Sequence, residues 1–136
     1  MARWRPDPSS PNEASAVQEA LHIVKIWSAP EDADGSAVRQ FYASQVQYYG
    51  RLVPIDQVMH AKLAFAARWP VRRYTVRPQL LSVHYPTPTE RGVNGVLDWY
   101  AANNVTGASF RGAAQFVYGF STGMISYESG HVLSRQ

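Results

Sequence analysis

A chain of 136 residues makes a single domain with room for one core. It has no cysteine, which excludes a disulfide framework, a thiolate nucleophile and a cysteine metal site, and no apolar run approaches the ~20 residues of a membrane-spanning helix. The formal charge of +3 is carried almost wholly by arginine, with Lys25 and Lys62 the only lysines, and is too small to argue by itself for a nucleic-acid partner.

Residues 1–9 bear proline and arginine but no apolar core of a signal peptide. They read as a flexible polar tail or linker ahead of one domain over residues 10–136. The cytoplasm is the default compartment, with the envelope open as an alternative if the chain is a piece of a longer protein.

Ser10, Pro11 and Glu13 form a capping box with proline at the first helical position. Behind it Val17, Ala20, Leu21, Val24 and Trp27 make one apolar stripe, so a first helix is predicted, ending at Ala29-Pro30. An acidic loop leads to a short second helix over 36–43, then to a short strand over 45–52. Pro54 precedes a third helix over 55–69, with Ile55, Met59, Leu63 and Ala66 on its inward stripe. Asp56 reads as a cap of that helix.

The remainder alternates with a strand's period. Residues 72–85 form a strand that Pro78 must interrupt or confine to an edge. Residues 93–102 set Val93, Leu97 and Trp99 opposite Asn94, Asp98 and Tyr100. Asn103, Asn104 and Gly107 mark a hairpin loop, and 108–120 set Phe110, Ala114, Phe116 and Tyr118 on one side. Residues 124–133 close the sheet. The order is α-α-β-α-β-β-β-β: an α+β domain with three N-terminal helices on a bent, mainly antiparallel sheet.

Phe41-Tyr42-Ala43 followed by the strand Val46-Gln47-Tyr48-Tyr49-Gly50, a helix and four strands resembles the NTF2-like (SnoaL-like, cystatin-like cone) superfamily, over nearly the whole chain. The resemblance implies a cone with a pocket between sheet and helices, and often a dimer through the outer sheet face. It also implies, for the superfamily's isomerases and cyclases, a carboxylate base on the strand after the second helix. Here Tyr49 or a neighbour stands at that place, and a tyrosine with an ordinary pKa near ~10 is a poor base at neutral pH.

Asp98 is the foremost remaining acid. Its alternation sets it away from Trp99, so it reads as pairing across strands with Arg111 or Arg73, with an acid or base role in the pocket as the alternative. His84 is the one histidine to watch for proton transfer, against the reading of a half-buried strand residue. The four histidines show no metal-ligand spacing, and no cofactor motif or nucleophile elbow is present. Arg72 is split by alternation from Arg73 and Arg77, which default to a solvated or dimer-interface set that could meet an anionic ligand or partner.

Two function classes stand. The first is a non-catalytic module that binds a small apolar ligand, or a partner protein, with Tyr49, Met59, Leu63, Trp99 and Phe116 lining the cavity. The alternative is a small isomerase, dehydratase or cyclase acting on a hydrophobic ring compound, with Asp98 and His84 as the acid-base groups. A carboxylate or histidine facing the cavity would discriminate between them. A homodimer through Val96, Tyr100 and Val117 of the outer face is expected.

Overall fold

Two tight hairpins frame the sheet, and each turns on a pair of left-handed residues. The computed structural model describes residues 39–136, together with 17, 18, 20–22, 24 and 25. Strand β1 (Tyr42–Tyr48) returns as β2 (Arg51–Pro54) through Tyr49 and Gly50, at φ 50° and 86°. Thr122 and Gly123, at φ 50° and 84°, join β6 (Ser109–Ser121) to β7 (Met124–Arg135). Two consecutive positive φ values match the twist of flanking strands, which is why such two-residue turns close hairpins. The single strand expected over 45–52 is therefore a hairpin, with Tyr49 at its tip.

Helix α1 (Ile55–Arg68) follows, then β3 (Val71–Val76), a 3-10 turn (Pro78–Leu80), β4 (Ser82–Thr87) and β5 (Glu90–Ala102). Pro78 acts as expected of an edge proline: it splits one strand into two, and both halves pair with β5. β3 pairs with 97–102 and β4 with 90–94. The strand order is β2-β1-β7-β6-β5-β3, antiparallel throughout except for the parallel β1–β7 pair.

Strand β7 carries two bulges. Phe120 faces Ile125 while Gly119 faces Tyr127, so Ser126 is an extra residue; Leu133 is another, between the Ala113–Ser134 and Ala114–Val132 pairs. A bulge shifts the side-chain phase by one and bends its strand. Ile125 is fully buried, and the bulge at Ser126 turns Glu128 inward as well.

The core lies where α1 and the helical residues 17, 18, 20–22, 24 and 25 meet the concave sheet face. Val46, Val58, Val83, Val93 and Ile125 are its most enclosed side chains, with Val17, Ala20 and Val24 added from the N-terminal segment. No side chain caps the start of α1. Pro54 occupies the cap position, and Asp56, one residue into the helix, pairs with exposed Arg39, which corrects its expected capping role. At the other end, Nη1 of Arg72 donates to the carbonyls of Trp69 (2.8 Å) and Ala66 (3.3 Å), and Nδ2 of Asn103 donates to that of Arg68 (2.8 Å). Those carbonyls have no partner within the helix, so both side chains stabilise its end.

The first expected helix falls partly, and its end at Ala29-Pro30 wholly, outside the described residues. Of the second, residues 36–38 lie outside them, Arg39 is helical, and Tyr42 and Ala43 already belong to β1. The helix thus stops before Phe41-Tyr42, because Tyr42 enters the ladder beside Ile125. Among the described residues no helix is long and apolar enough to cross a membrane.

Candidate functional site

A cavity of about 730 Å³ opens between α1 and the concave face of β3, β5, β6 and β7. Its floor holds Phe116, Tyr118 and Glu128, all buried, while Phe65, Arg68, Phe110, Val132 and Arg135 are exposed at its rim. Trp99 and Leu97 form the β5 wall, and Trp69 meets Phe110 edge to face at 5.3 Å. Aromatic side chains recur along its wall, as is common in small-molecule sites.

Among the described residues Glu128 is the one carboxylate on this cavity wall. Burying a carboxylate is costly unless it is paired and hydrogen-bonded, and here both oxygens have donors. The hydroxyl of Tyr42 donates to Oε1, and Nζ of Lys62 donates to Oε2 at 2.7 Å. Lys62 comes from the second turn of α1 and Tyr42 from the start of β1, so the site ties helix, first strand and last strand together. The Lys62 ammonium also stands 5.7 Å from the centre of the Tyr48 ring.

Four phenols surround the carboxylate. Burial first, and the Glu128 charge second, hold Tyr42 and Tyr118 well above the ordinary tyrosine range and push Tyr48 up as well. Tyr49, about half exposed as a residue at 54%, is still pushed up to about 12 by the same two causes, with Lys62 opposing them. All four therefore remain hydrogen-bond donors at neutral pH, and none is a base.

The carboxylate beside Tyr48 and Tyr49 belongs to the adjacent strand β7. Glu128 is the parallel register partner of Tyr48, and its carbonyl accepts from the backbone N–H of Tyr49 at 2.9 Å. Sequence reasoning missed it. The available signal was a carboxylate in mid-strand between Tyr127 and Ser129, but alternation counted from Ile125 puts that position outside, and only the bulge reverses it.

The other candidates are placed as follows. Tyr49, Trp99 and Phe116 line the cavity. Met59 is in the core and Leu63 is half-buried beside it; α1 presents Ala61, Lys62, Phe65 and Arg68 to the cavity instead. Asp98 lies on the opposite, convex face, gripped by Arg77 through Nη2 at 2.6 Å and Nε at 3.0 Å. Its partner is Arg77 rather than Arg111 or Arg73, because β3 has ended at Val76 and the chain folds Arg77 back over β5. His84 is also on the convex face, across from Gly92, where an added Cβ would come within 2.2 Å of the imidazole. The structure therefore does not bring Asp98 and His84 into the cavity. Among the described residues no cluster of three or more His, Cys, Asp or Glu side chains could hold a metal ion.

A sheet packed against a helix, with a cavity between them, is an arrangement the chain shares with solved structures, among them a Caulobacter vibrioides protein with a cystatin-like fold (TM-score 0.62, 13% identity, 89% of each chain). No protein-family model and no curated protein sequence matches the chain. Solved structures do match. A protein from Xanthomonas campestris, assigned as a calcium/calmodulin dependent protein kinase II association domain, superposes with a TM-score of 0.72 at 9% identity, over 98% of this chain and 97% of that one. One assigned as a SnoaL-like polyketide cyclase, from Jannaschia sp. CCS1, gives 0.68 at 12% identity over 91% and 89%. One assigned as a scytalone dehydratase, from Novosphingobium aromaticivorans, gives 0.67 at 7% over 89% and 86%. At such identities the likeness shows the fold alone.

Proposed function

We propose that this protein is a small-molecule-binding module whose cavity takes up a hydrophobic ring compound without turning it over. The observation that carries this reading is the occupancy of Glu128: Tyr42 holds one oxygen and Lys62 the other. With a phenol on one oxygen and an ammonium on the other, the carboxylate is fixed in place and its charge is already met inside a buried site. The pair instead makes a polar floor that orients a carbonyl or hydroxyl of the ligand, with the phenols of Tyr48 and Tyr49 as further donors. Burial of one ring system against Trp99 and Phe116 contributes ~25 cal/mol per Å² of apolar area, enough for micromolar binding in a preformed pocket.

A second reading is favoured by one specific observation, the presence of a carboxylate in the cavity at all. In it Glu128 moves a proton at a ring ketone or alcohol while Lys62 steadies the developing charge, an isomerase, cyclase or dehydratase chemistry. The names given to two of the superposed proteins agree with that class. Incubation with steroid and polyketide-like ketones, followed for both thermal shift and turnover, separates the readings: a shift without turnover supports binding, and turnover abolished by Glu128→Gln supports catalysis.

We also propose a homodimer through the convex sheet face, where Val96, Tyr100 and Val117 stay partly exposed and Tyr127 is 42% exposed. Light scattering should report a dimer that Val96→Glu dissociates; a monomer at high micromolar concentration counts against it.

A further inference from the structure

The charges on the cavity wall do not balance. Among the described residues Lys62, Arg68, Arg72 and Arg135 line it against the one carboxylate of Glu128. Lys62 is taken up by that carboxylate, and Arg72 is 6% exposed with Nη1 turned to the helix carbonyls. Arg68 and Arg135 differ from these two. Both are exposed at the rim, and among the described residues neither forms an ion pair with a carboxylate. The Arg68 guanidinium lies 5.6 Å from the centre of the Trp69 ring, so it sits beside an aromatic wall.

The two polar ends of the cavity are far apart. Glu128 pairs with Tyr118 on β6, whereas Arg135 pairs with Gly112. Those six steps along one strand span roughly 20 Å. Between them lie Phe116, Ala114 and, across the sheet, Trp99, all apolar.

Building on the ligand-binding reading, we infer that the ligand is an elongated hydrophobic acid. Its single anionic group, a carboxylate, is held at the rim by Arg68 and Arg135, and its ring system reaches down to the neutral Glu128–Lys62 floor. A guanidinium fork matches a carboxylate with paired hydrogen bonds. The same two arginines, in a site with no side-chain carboxylate lining its rim among the described residues, disfavour a cation of equal size and give a neutral analogue no comparable contact.

The test uses pyrenebutyrate, its methyl ester and pyrenebutylamine, titrated by fluorescence into the whole chain, with circular dichroism to confirm folding of each variant. The acid should bind about ten-fold to a hundred-fold more tightly than the ester, and the amine most weakly. Arg68→Gln with Arg135→Gln should bring acid and ester together, while Arg73→Gln on the convex face, which removes one positive charge of its own, should leave the preference intact. Equal binding of acid and ester by the unaltered protein overturns the inference while leaving the binding reading in place. A preference that Arg73→Gln also abolishes overturns it too, since net charge would then suffice. No saturable binding of any of the three sinks the binding reading itself, and this inference with it.

Discussion

The Lys62 ammonium stands 2.7 Å from Oε2 of Glu128, and the two side chains are 14% and 6% exposed. That contact joins the helix to the last strand at the floor of the cavity. A buried pair need not add net stability, because both charges lose their water; its loss on one side, however, leaves an uncompensated charge.

Lys62→Met should therefore destabilise the protein by about 3–5 kcal/mol. Combining it with Glu128→Leu should recover most of that, since the double variant buries no unpaired charge. Urea unfolding of the two single variants and the double variant closes the cycle. A Lys62→Met protein as stable as the parent would show that the pair is not formed in solution.

Alkaline pH should weaken the fold from about pH 10 upward. The phenols of Tyr42 and Tyr118 are held above their ordinary range in the folded state, by burial first and Glu128 second. In the unfolded chain they lose their protons near ~10, so above that pH the unfolded state binds fewer protons and stability falls as pH rises. The contribution is complete below the unfolded value and disappears through the folded one. Urea midpoints followed from neutral to strongly alkaline pH should decline, and Tyr118→Phe should make the decline shallower.

Asp98→Asn should leave ligand binding unchanged and move the thermal midpoint little. Its carboxyl is held below the usual range by the hydrogen bond from Arg77 and by that arginine's charge, but both groups are open to solvent and screened. What the pair adds is present above the unfolded carboxylate value and lost as pH falls through the folded one. Thermal melts with and without high salt check the stability, and a ligand titration checks the cavity. A lost binding site in Asp98→Asn would contradict the convex placement.

How much of this was legible in the sequence depends on how far each feature rests on local pattern. The faces of β5 and β6 followed from simple alternation, because both strands pair without a break along their shared length. Pro78 announced its own interruption, since proline lacks the donor a ladder needs. The Tyr49-Gly50 turn was hidden by an apolar-aromatic run in which a tyrosine, not glycine or asparagine, takes the first left-handed position. Glu128 was hidden more deeply. Its inward aim depends on the extra residue Ser126 and on a parallel pairing with β1, a contact between residues about eighty apart in sequence that no local period records.

The measurement that bears most directly on the binding reading sets calorimetric titration of a steroid or polyketide-like ketone beside a turnover assay on the same protein. The unaltered chain and Glu128→Gln are compared in both, with folding of the variant verified. The account predicts one saturable site of micromolar affinity in the unaltered chain and product formation no faster than in buffer. Multiple turnovers by the unaltered chain that vanish in Glu128→Gln would contradict it, and so would the absence of any saturable heat.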